Sequence, residues 1–183
     1  MTERIATRRL LLSQPIAADG PALLRYRLSN RMHLSAWEPL RAASFYTLED
    51  VELQLRQMRE HLAGGSAVHW LLARQGSTEL IGLCSFTNIA RGPFQACHLG
   101  FSLSEESQGK GYMAEALQAA IAHIFQSIGL HRIMANYQPA NVRSAALLQR
   151  LGFEREGLAR RYLKINGHWA DHVLTSLINP HDD

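Results

Sequence analysis

The chain has 183 residues, of which 46% are hydrophobic and 19% charged, and its formal net charge is +3. These values are ordinary for a globular domain that builds one core without disulfide or metal staples. They exclude a disordered chain, and so small a charge does not by itself indicate a nucleic-acid binder. The N-terminus lacks the apolar segment of a signal peptide, and no apolar run reaches membrane-spanning length. We therefore expect a cytoplasmic protein with a single domain over residues 1–183 and no membrane contact.

The first half of the chain predicts two helices followed by three strands. Residues 8–13 form a strand pattern, and residues 17–30 a helical pattern that Asp19 and Pro21 begin. Thr47 with Asp50 is a variant capping box for a second helix, which Gly64–Gly65 ends. The predicted strands cover residues 68–74, 80–87 and 96–104, and the turn at 75–78 makes a hairpin of the first two.

The second half predicts a long helix, a strand, a short helix and a final hairpin. One helical face carries Met113, Leu117, Ala120, Ile121, Ile124 and Ile128. Residues 132–137 form a strand, Asn141 caps a helix that runs to Leu151, and two strands flank Asn166–Gly167. This order predicts an α+β or mixed α/β sheet with helices on both faces.

A glycine-containing loop, residues 108–113, joins the strand at 96–104 to the long helix. Gly109 and Gly111 let backbone N–H groups point outward at a helix N-terminus, where the helix dipole also favours an anion such as pyrophosphate. Taken alone, Gly-x-Gly is more often a simple turn into a helix. The loop does not match a Walker A motif. It matches a dinucleotide fingerprint formally, but the acidic residue required about 20 positions later is missing.

Two motifs in order resemble the GCN5-related N-acetyltransferases (GNAT). Gln108-x-x-Gly111-x-Met113 is similar to the family's Q/R-x-x-G-x-G/A motif, although Met113 replaces the usual small residue and implies fuller packing. Asn141-x-x-Ser144, followed by Leu-Gly-Phe-x-x-Glu-Gly at 151–157, is similar to the second signature. Segments 37–39, 86–89, 91–94, 131–137 and 171–175 resemble the RimJ/RimL type of ribosomal-protein-alanine N-acetyltransferase, so the resemblance covers nearly the whole chain.

The resemblance implies a GNAT fold, with a central twisted, mostly antiparallel sheet of about seven strands and helices on both faces in three α/β/α layers. It implies acetyl-CoA as cosubstrate and direct transfer of the acetyl group to a protein N-terminal amine, with the alanine of a ribosomal protein as the expected acceptor. Two alternatives stay open: acetylation of a small amine (polyamine, amino acid or antibiotic) and a non-catalytic CoA-binding module. The oligomeric state stays open between monomer and dimer.

The resemblance also assigns site residues. Backbone N–H groups of the glycine loop would hold the pyrophosphate, and the strand around Phe101 would pair with the pantetheine arm and stabilise the oxyanion. Ser144 would hydrogen-bond to the departing thiolate, against the alternative of a helix serine bonded to the carbonyl one turn earlier. Asn141 is both a helix cap and a candidate coenzyme contact. The expected coenzyme-binding residues are Phe101, Ser102, Leu103, Gln108, Gly109, Lys110, Gly111, Tyr112, Met113, Ala114, Asn141 and Ser144.

The remaining role is that of the general base. Glu38 is the candidate, because a carboxylate beside Trp37 could be desolvated and its pKa raised. An α-amine has an ordinary pKa near 7.7–8.0, so about a tenth is already neutral at pH 7 and an ordered water suffices as base. Cys84 and Cys97 are expected to be buried structural thiols. His168 and His172 lie four residues apart without further ligands, so we expect no metal site.

Overall fold

The computed structural model describes residues 3–182, and all of its strands belong to one mixed sheet. The spatial order is β1-β2-β3-β4-β5-β6-β8-β7, and every neighbouring pair is antiparallel except β5 and β6. The strands are β1 (Arg4–Ala6), β2 (Leu10–Ser13), β3 (Val68–Arg74), β4 (Leu80–Ala90), β5 (Ala96–Leu103), β6 (Arg132–Tyr137), β7 (Glu154–Ile165) and β8 (His168–Ile178).

Helices cover both faces of this sheet, which confirms the predicted three-layer fold. The α-helices are α1 (Gly20–Ser29), α2 (Arg31–Ser35), α3 (Leu48–Ala63), α4 (Tyr112–His123) and α5 (Val142–Arg150). One core joins Leu117 of α4 and Leu148 of α5 to Trp70 of β3, whereas α1 and α3 bury Leu23 and Leu55 against Leu71 on the other face. Because both faces are covered, the first six residues of β3 are all buried.

Most predicted elements are confirmed, and the local chemistry explains why. Thr47 accepts a hydrogen bond from the backbone N–H of Asp50 (3.4 Å), and Asn141 accepts one from Ser144 (3.1 Å), so both caps work as their sequence indicates. Strands β3 and β6 have the predicted bounds, and β7 and β8 flank Asn166–Gly167.

A short strand and a short α-helix escaped prediction. Strand β1 has three residues, too few to show an alternating pattern, and it raises the strand count from about seven to eight. Helix α2 has five residues and no side-chain cap at its first end, because the side-chain oxygen of Asn30 accepts a hydrogen bond from the backbone N–H of Glu105 instead. The long predicted helix also ends differently: its last turn, Ile124–Ile128, is a π-helix closed by Gly129 at φ 70°.

No helix within residues 3–182 is long and apolar enough to span a membrane.

Candidate active site

The parallel strands β5 and β6 separate partway along their length. Their ladder runs from Ala96 opposite Arg132 to Leu99 opposite Ala135. Beyond that point β5 continues to Leu103 and β6 to Tyr137, each paired only with its outer neighbour. We call this opening the seam. Such an opening exposes unpaired backbone groups in the middle of a sheet, where an extended ligand can pair with them.

The backbone directions along β5 identify which residues face the seam. The carbonyl of Gln95 accepts hydrogen bonds from His131 and Arg132 on the β6 side, whereas Ser104 donates to Ile81 on the β4 side. Because alternate residues of a strand direct their backbone groups to opposite edges, Phe101 and Leu103 face the seam. The backbone of Ser102 faces β4, where its carbonyl lies 2.6 Å from the position of a Cβ added to Gly82.

The glycine loop enters α4 at the carboxyl end of β5. Gly109 and Gly111 have φ values of 72° and 77°, the left-handed conformation that glycine adopts without strain. In the part of the chain that the structure describes, none of the backbone N–H groups from Gly109 to Ala114 donates a hydrogen bond. These unpaired donors and the positive end of the α4 dipole form a site suited to a polyphosphate group.

Arg9 supports this loop from the side of the first strands. Its guanidinium donates to the carbonyl of Lys110 (2.9 Å) and to Glu115 (2.7 Å), and it stacks on Tyr112 at 4.6 Å from the ring centroid. Partial burial raises the pKa of Glu115, but hydrogen bonds from Thr7 and Arg9 outweigh it and hold that pKa below its usual value. Arg9 therefore fixes the direction of the Lys110 carbonyl within the loop.

Gln108 connects the loop to two helices. Its amide nitrogen lies 2.8 Å from Nε2 of His33 in α2, and its amide oxygen accepts a hydrogen bond from Arg143 in α5. Asn30 adds a further tie, since its side-chain oxygen accepts from the backbone N–H of Glu105 (3.0 Å). The first turn of α5 is thereby held next to the glycine loop.

Ser144 lies in that first turn and is half-buried. Among residues 3–182 its hydroxyl makes no hydrogen bond, so it does not bond back to the carbonyl one turn earlier. Asn141 is used as the N-cap. The lysine side chain at position 110 is exposed, and Met113 is buried in the main core as its size requires.

A cleft on the opposite face of the sheet contains Tyr26, Glu38 and Ser102. The Tyr26 hydroxyl lies 2.8 Å from the Ser102 hydroxyl, and burial raises the pKa of Tyr26, with the negative charge of Glu38 adding to the effect. Ser102 thus faces this cleft with its side chain.

Hydrogen bonds to backbone carbonyls hold the segment around Glu38 at the edge of the cleft. Its carbonyl accepts a hydrogen bond from Asn166 of the β7–β8 turn (2.9 Å), and the carbonyl of Ala36 accepts one from Gln138 at the end of β6 (3.4 Å). The carboxylate is paired with Arg41 at 3.3 Å. It therefore meets a guanidinium, a partner that the pattern Trp-Glu-Pro did not indicate.

The remaining candidates lie away from this centre. Burial raises the pKa of Cys84 and Cys97 to about 12, so both are inert thiols in the core, as expected. The loop at residues 91–94 lies at the far end of β4 and β5, where Arg91 donates to the carbonyl of Ile128. No group of three or more His, Cys, Asp or Glu within residues 3–182 has the arrangement of a metal site.

Sequence reasoning missed Tyr26, Arg9 and Glu115. Tyr26 lies on the apolar face of α1, where a tyrosine is indistinguishable from a core residue. Arg9 and Glu115 are separated by 106 positions in the chain, so no local pattern links them.

Comparison with known proteins agrees with this geometry. The model of the acetyltransferase (GNAT) domain matches residues 9–154. The [ribosomal protein uS5]-alanine N-acetyltransferase of Escherichia coli is 44% identical over 177 residues, which is 97% of this chain and 91% of that protein.

Among solved structures, the ribosomal-protein-S5-alanine acetyltransferase of Vibrio fischeri superposes with a TM-score of 0.94 at 39% identity over 99% of both chains. Mycobacterium smegmatis RimJ in complex with CoA-disulfide superposes with a TM-score of 0.89 at 27% identity, over 97% of this chain and 86% of that one. The chain belongs to the GNAT acetyltransferase family.

Proposed function

We propose that this protein transfers the acetyl group of acetyl-CoA to the α-amine of an N-terminal alanine on a ribosomal protein, in the cytoplasm, and that residues 1–183 act as one domain. The observation that carries the acceptor is the 44% identity, over 97% of the chain, with the Escherichia coli enzyme that acts on ribosomal protein uS5. The choice of acetyl-CoA as cosubstrate is supported by the open seam and by the N–H groups of the glycine loop, which have no partner within residues 3–182.

The glycine loop would hold the pyrophosphate through backbone N–H groups from Gly109 to Ala114. Two features within residues 3–182 support the fit: these donors lack partners, and no residue beyond its two neighbours comes within 4 Å of a Cβ added at Gly109. Charge-assisted hydrogen bonds from several N–H groups give tight binding without requiring a particular side chain. Arg9 would keep those N–H groups pointing outward by holding the Lys110 carbonyl.

Acetyl-CoA supplies a thioester, and the amine nitrogen attacks its carbonyl carbon. Phe101 and Leu103 would align the pantetheine arm along the seam with backbone groups, and a seam-facing N–H would donate to the carbonyl oxygen as negative charge develops there. Because these donors are fixed in a strand, they need no reorganisation during the reaction.

Ser144 would donate a hydrogen bond to the sulfur as the thiolate leaves. This role is supported by a hydroxyl that makes no other hydrogen bond within residues 3–182, in the turn that Arg143 and Gln108 hold against the glycine loop. A serine hydroxyl is a weak acid, so it stabilises the thiolate without transferring its proton fully.

The acceptor amine would enter from the cleft that contains Glu38 and Tyr26. Glu38 would orient the amine and accept its proton, directly or through water, once the C–N bond forms. An α-amine needs little assistance because about a tenth is neutral at pH 7, whereas a lysine amine, with its pKa near 10.4, needs far more. This difference favours an N-terminal acceptor over a lysine side chain.

The test is release of free CoA thiol from acetyl-CoA with peptides that begin with Ala, Ser or Met. Spermidine and an N-terminally blocked peptide containing lysine are the controls, and mass spectrometry locates the acetyl group. We expect turnover with the Ala peptide and acetylation of its α-amine. Acetylation of the blocked peptide alone would remove the N-terminal acceptor, and faster turnover of spermidine would favour a small amine. Coenzyme binding without thiol release would leave only a binding module.

A further inference from the structure

A pocket of arginine and aromatic side chains lies beside Ser102 in the cleft. We call it the arginine pocket, and it comprises Arg27, Arg31, Arg41, Phe45 and Tyr46. The guanidinium carbons of Arg27 and Arg41 lie 3.8 and 4.4 Å from the centroid of the Phe45 ring, and that of Arg31 lies 4.5 Å from the Tyr46 ring. Stacking on rings fixes the plane of a guanidinium and leaves its N–H edge available.

Arg27 has an N–H edge without a partner. Its side chain is only 5% exposed, and Nη1 donates to the carbonyl of Phe45 (2.6 Å) and to Asp50 (3.2 Å). Nη2 is buried and has no acceptor within residues 3–182. An unsatisfied buried donor on a charged group destabilises a fold, so such a donor at the wall of a pocket indicates an acceptor that a ligand brings.

The three arginines of the pocket have two carboxylate partners between them. Asp50 pairs with Arg27 and Glu38 with Arg41. Arg31 has no carboxylate within 4.0 Å in the described part of the chain. A planar guanidinium with free N–H groups matches the two oxygens of a carboxylate.

The position of the pocket connects it to the reaction centre. Tyr26 precedes Arg27 on α1 and touches the Ser102 hydroxyl, and Ser102 lies between the two β5 residues whose backbone faces the seam. A ligand whose amine reaches the seam from this cleft passes the arginine pocket.

We propose that the arginine pocket binds a carboxylate of the acceptor, through Arg27 Nη2 and Arg31, and so selects acceptors with an acidic group close to the reactive amine. The inference rests on the proposed function in one respect: it assumes that the acceptor amine enters from this cleft. The carboxylate can be a Glu or Asp side chain near a protein N-terminus or the α-carboxylate of a free amino acid, and the assay separates these sources.

The first measurement is calorimetric binding of short Ala-initiated peptides to the full chain in the presence of CoA. One glutamate is moved through the second to fifth positions, and each peptide is compared with its glutamine counterpart. We expect the glutamate peptide to bind about tenfold more tightly at one or two positions, the effect of one charge-assisted hydrogen bond. Arg31→Gln should reduce that ratio to below about twofold, whereas Arg25→Gln, which changes an exposed arginine of the preceding helix α1, should preserve it.

Equal binding of glutamate and glutamine peptides at every position would overturn the inference, as would an Arg31→Gln variant that keeps the full preference. Free alanine that binds in competition with the glutamate peptide, and loses affinity in Arg31→Gln, would identify an amino-acid carboxylate as the ligand. Thiol release is measured on the same samples. Turnover without a glutamate preference leaves the proposed function standing, whereas a glutamate preference in binding without turnover removes the N-terminal transfer but not the carboxylate site.

Discussion

The proposed coenzyme side and the proposed acceptor side of this protein use different parts of the polypeptide. On the coenzyme side the proposed groups are backbone donors, at the glycine loop and along Phe101 and Leu103, with the Ser144 hydroxyl as the one side chain. On the acceptor side they are side chains: the hydroxyls of Tyr26 and Ser102, the Glu38 carboxylate and the arginine pocket. Backbone donors fit any sequence that allows the conformation, whereas side-chain groups change with each substitution. A family can therefore keep one coenzyme while its acceptors diverge.

The largest effect should come from the loop conformation. Replacing Gly109 by Val places a β-branched residue at φ 72° and turns the loop N–H groups away, so we expect CoA affinity to fall about 100-fold, the loss of one or two charge-assisted hydrogen bonds. Calorimetric titration with CoA measures this change.

Gly76→Val is the matched control. Gly76 also has a positive φ, 76°, and in the described part of the chain no residue beyond its two neighbours comes within 4 Å of an added Cβ, but it belongs to the β3–β4 turn. Both variants should lose similar thermal stability, and only Gly109→Val should lose coenzyme. Equal CoA affinity in the two variants would contradict a backbone-built coenzyme site.

Ser144 offers the next largest effect, on turnover. Ser144→Ala removes the hydroxyl assigned to the departing thiolate, so kcat should fall about tenfold, the value of one hydrogen bond to a charged group, while the Kd for CoA stays within about twofold. Ser127→Ala, at an exposed serine, serves as the control. A fall in CoA affinity that matches the fall in kcat would show that Ser144 binds the coenzyme and has no separate part in the leaving-group step.

The contrast between backbone and side chain also explains what the sequence can predict. The glycine loop, its two flanking elements and the Asn141 cap lie within short segments, so local spacing identifies them. The cleft combines Tyr26 of α1, Glu38 of the following segment and Ser102 of β5, and only the folded chain brings them together. The Glu38–Arg41 pair is an example, because the spacing of three residues did not reveal that the carboxylate pairs with an arginine.

The sequence also did not predict which residues of β5 direct their backbone groups to the seam. Phe101, Ser102 and Leu103 were grouped as one coenzyme-facing strand segment, and alternation of the backbone divides them between the seam and β4. That alternation is set by the register with β4 and β6, which depends on residues far along the chain.

A buried histidine on one face of the sheet should make the stability of the protein depend on pH. His69 of β3 lies on the α1–α3 face beside Ser85 (2.8 Å), and burial lowers its pKa to about 4, with His61 adding to the effect. Between about pH 4 and pH 6.5, the His69 imidazole is therefore protonated in the unfolded chain and neutral in the folded chain. Stability from this residue is therefore present above pH 6.5 and lost as the pH falls towards 4, by about 1 kcal/mol per pH unit.

Urea unfolding between pH 7 and pH 4.5 measures this loss. His69→Gln, which keeps a polar partner for Ser85, should flatten the decline in that window, and His168→Gln, at an exposed histidine, should not. An unchanged decline in His69→Gln would assign the acid sensitivity to other groups.

The smallest expected effect tests the contrast most directly. Lys110 lies between the two left-handed glycines with its side chain exposed, and its backbone carbonyl is held by Arg9. If backbone donors bind the coenzyme, Lys110→Ala removes one screened surface charge and should weaken CoA binding by no more than about threefold, with a shallower dependence on salt. Removing Arg9, which contacts that carbonyl, Tyr112 and Glu115, should weaken CoA binding more than removing the lysine does, because it releases the loop conformation. A larger loss in Lys110→Ala than in Arg9→Ala would mean that a side chain, and not the shape of the loop, holds the phosphates.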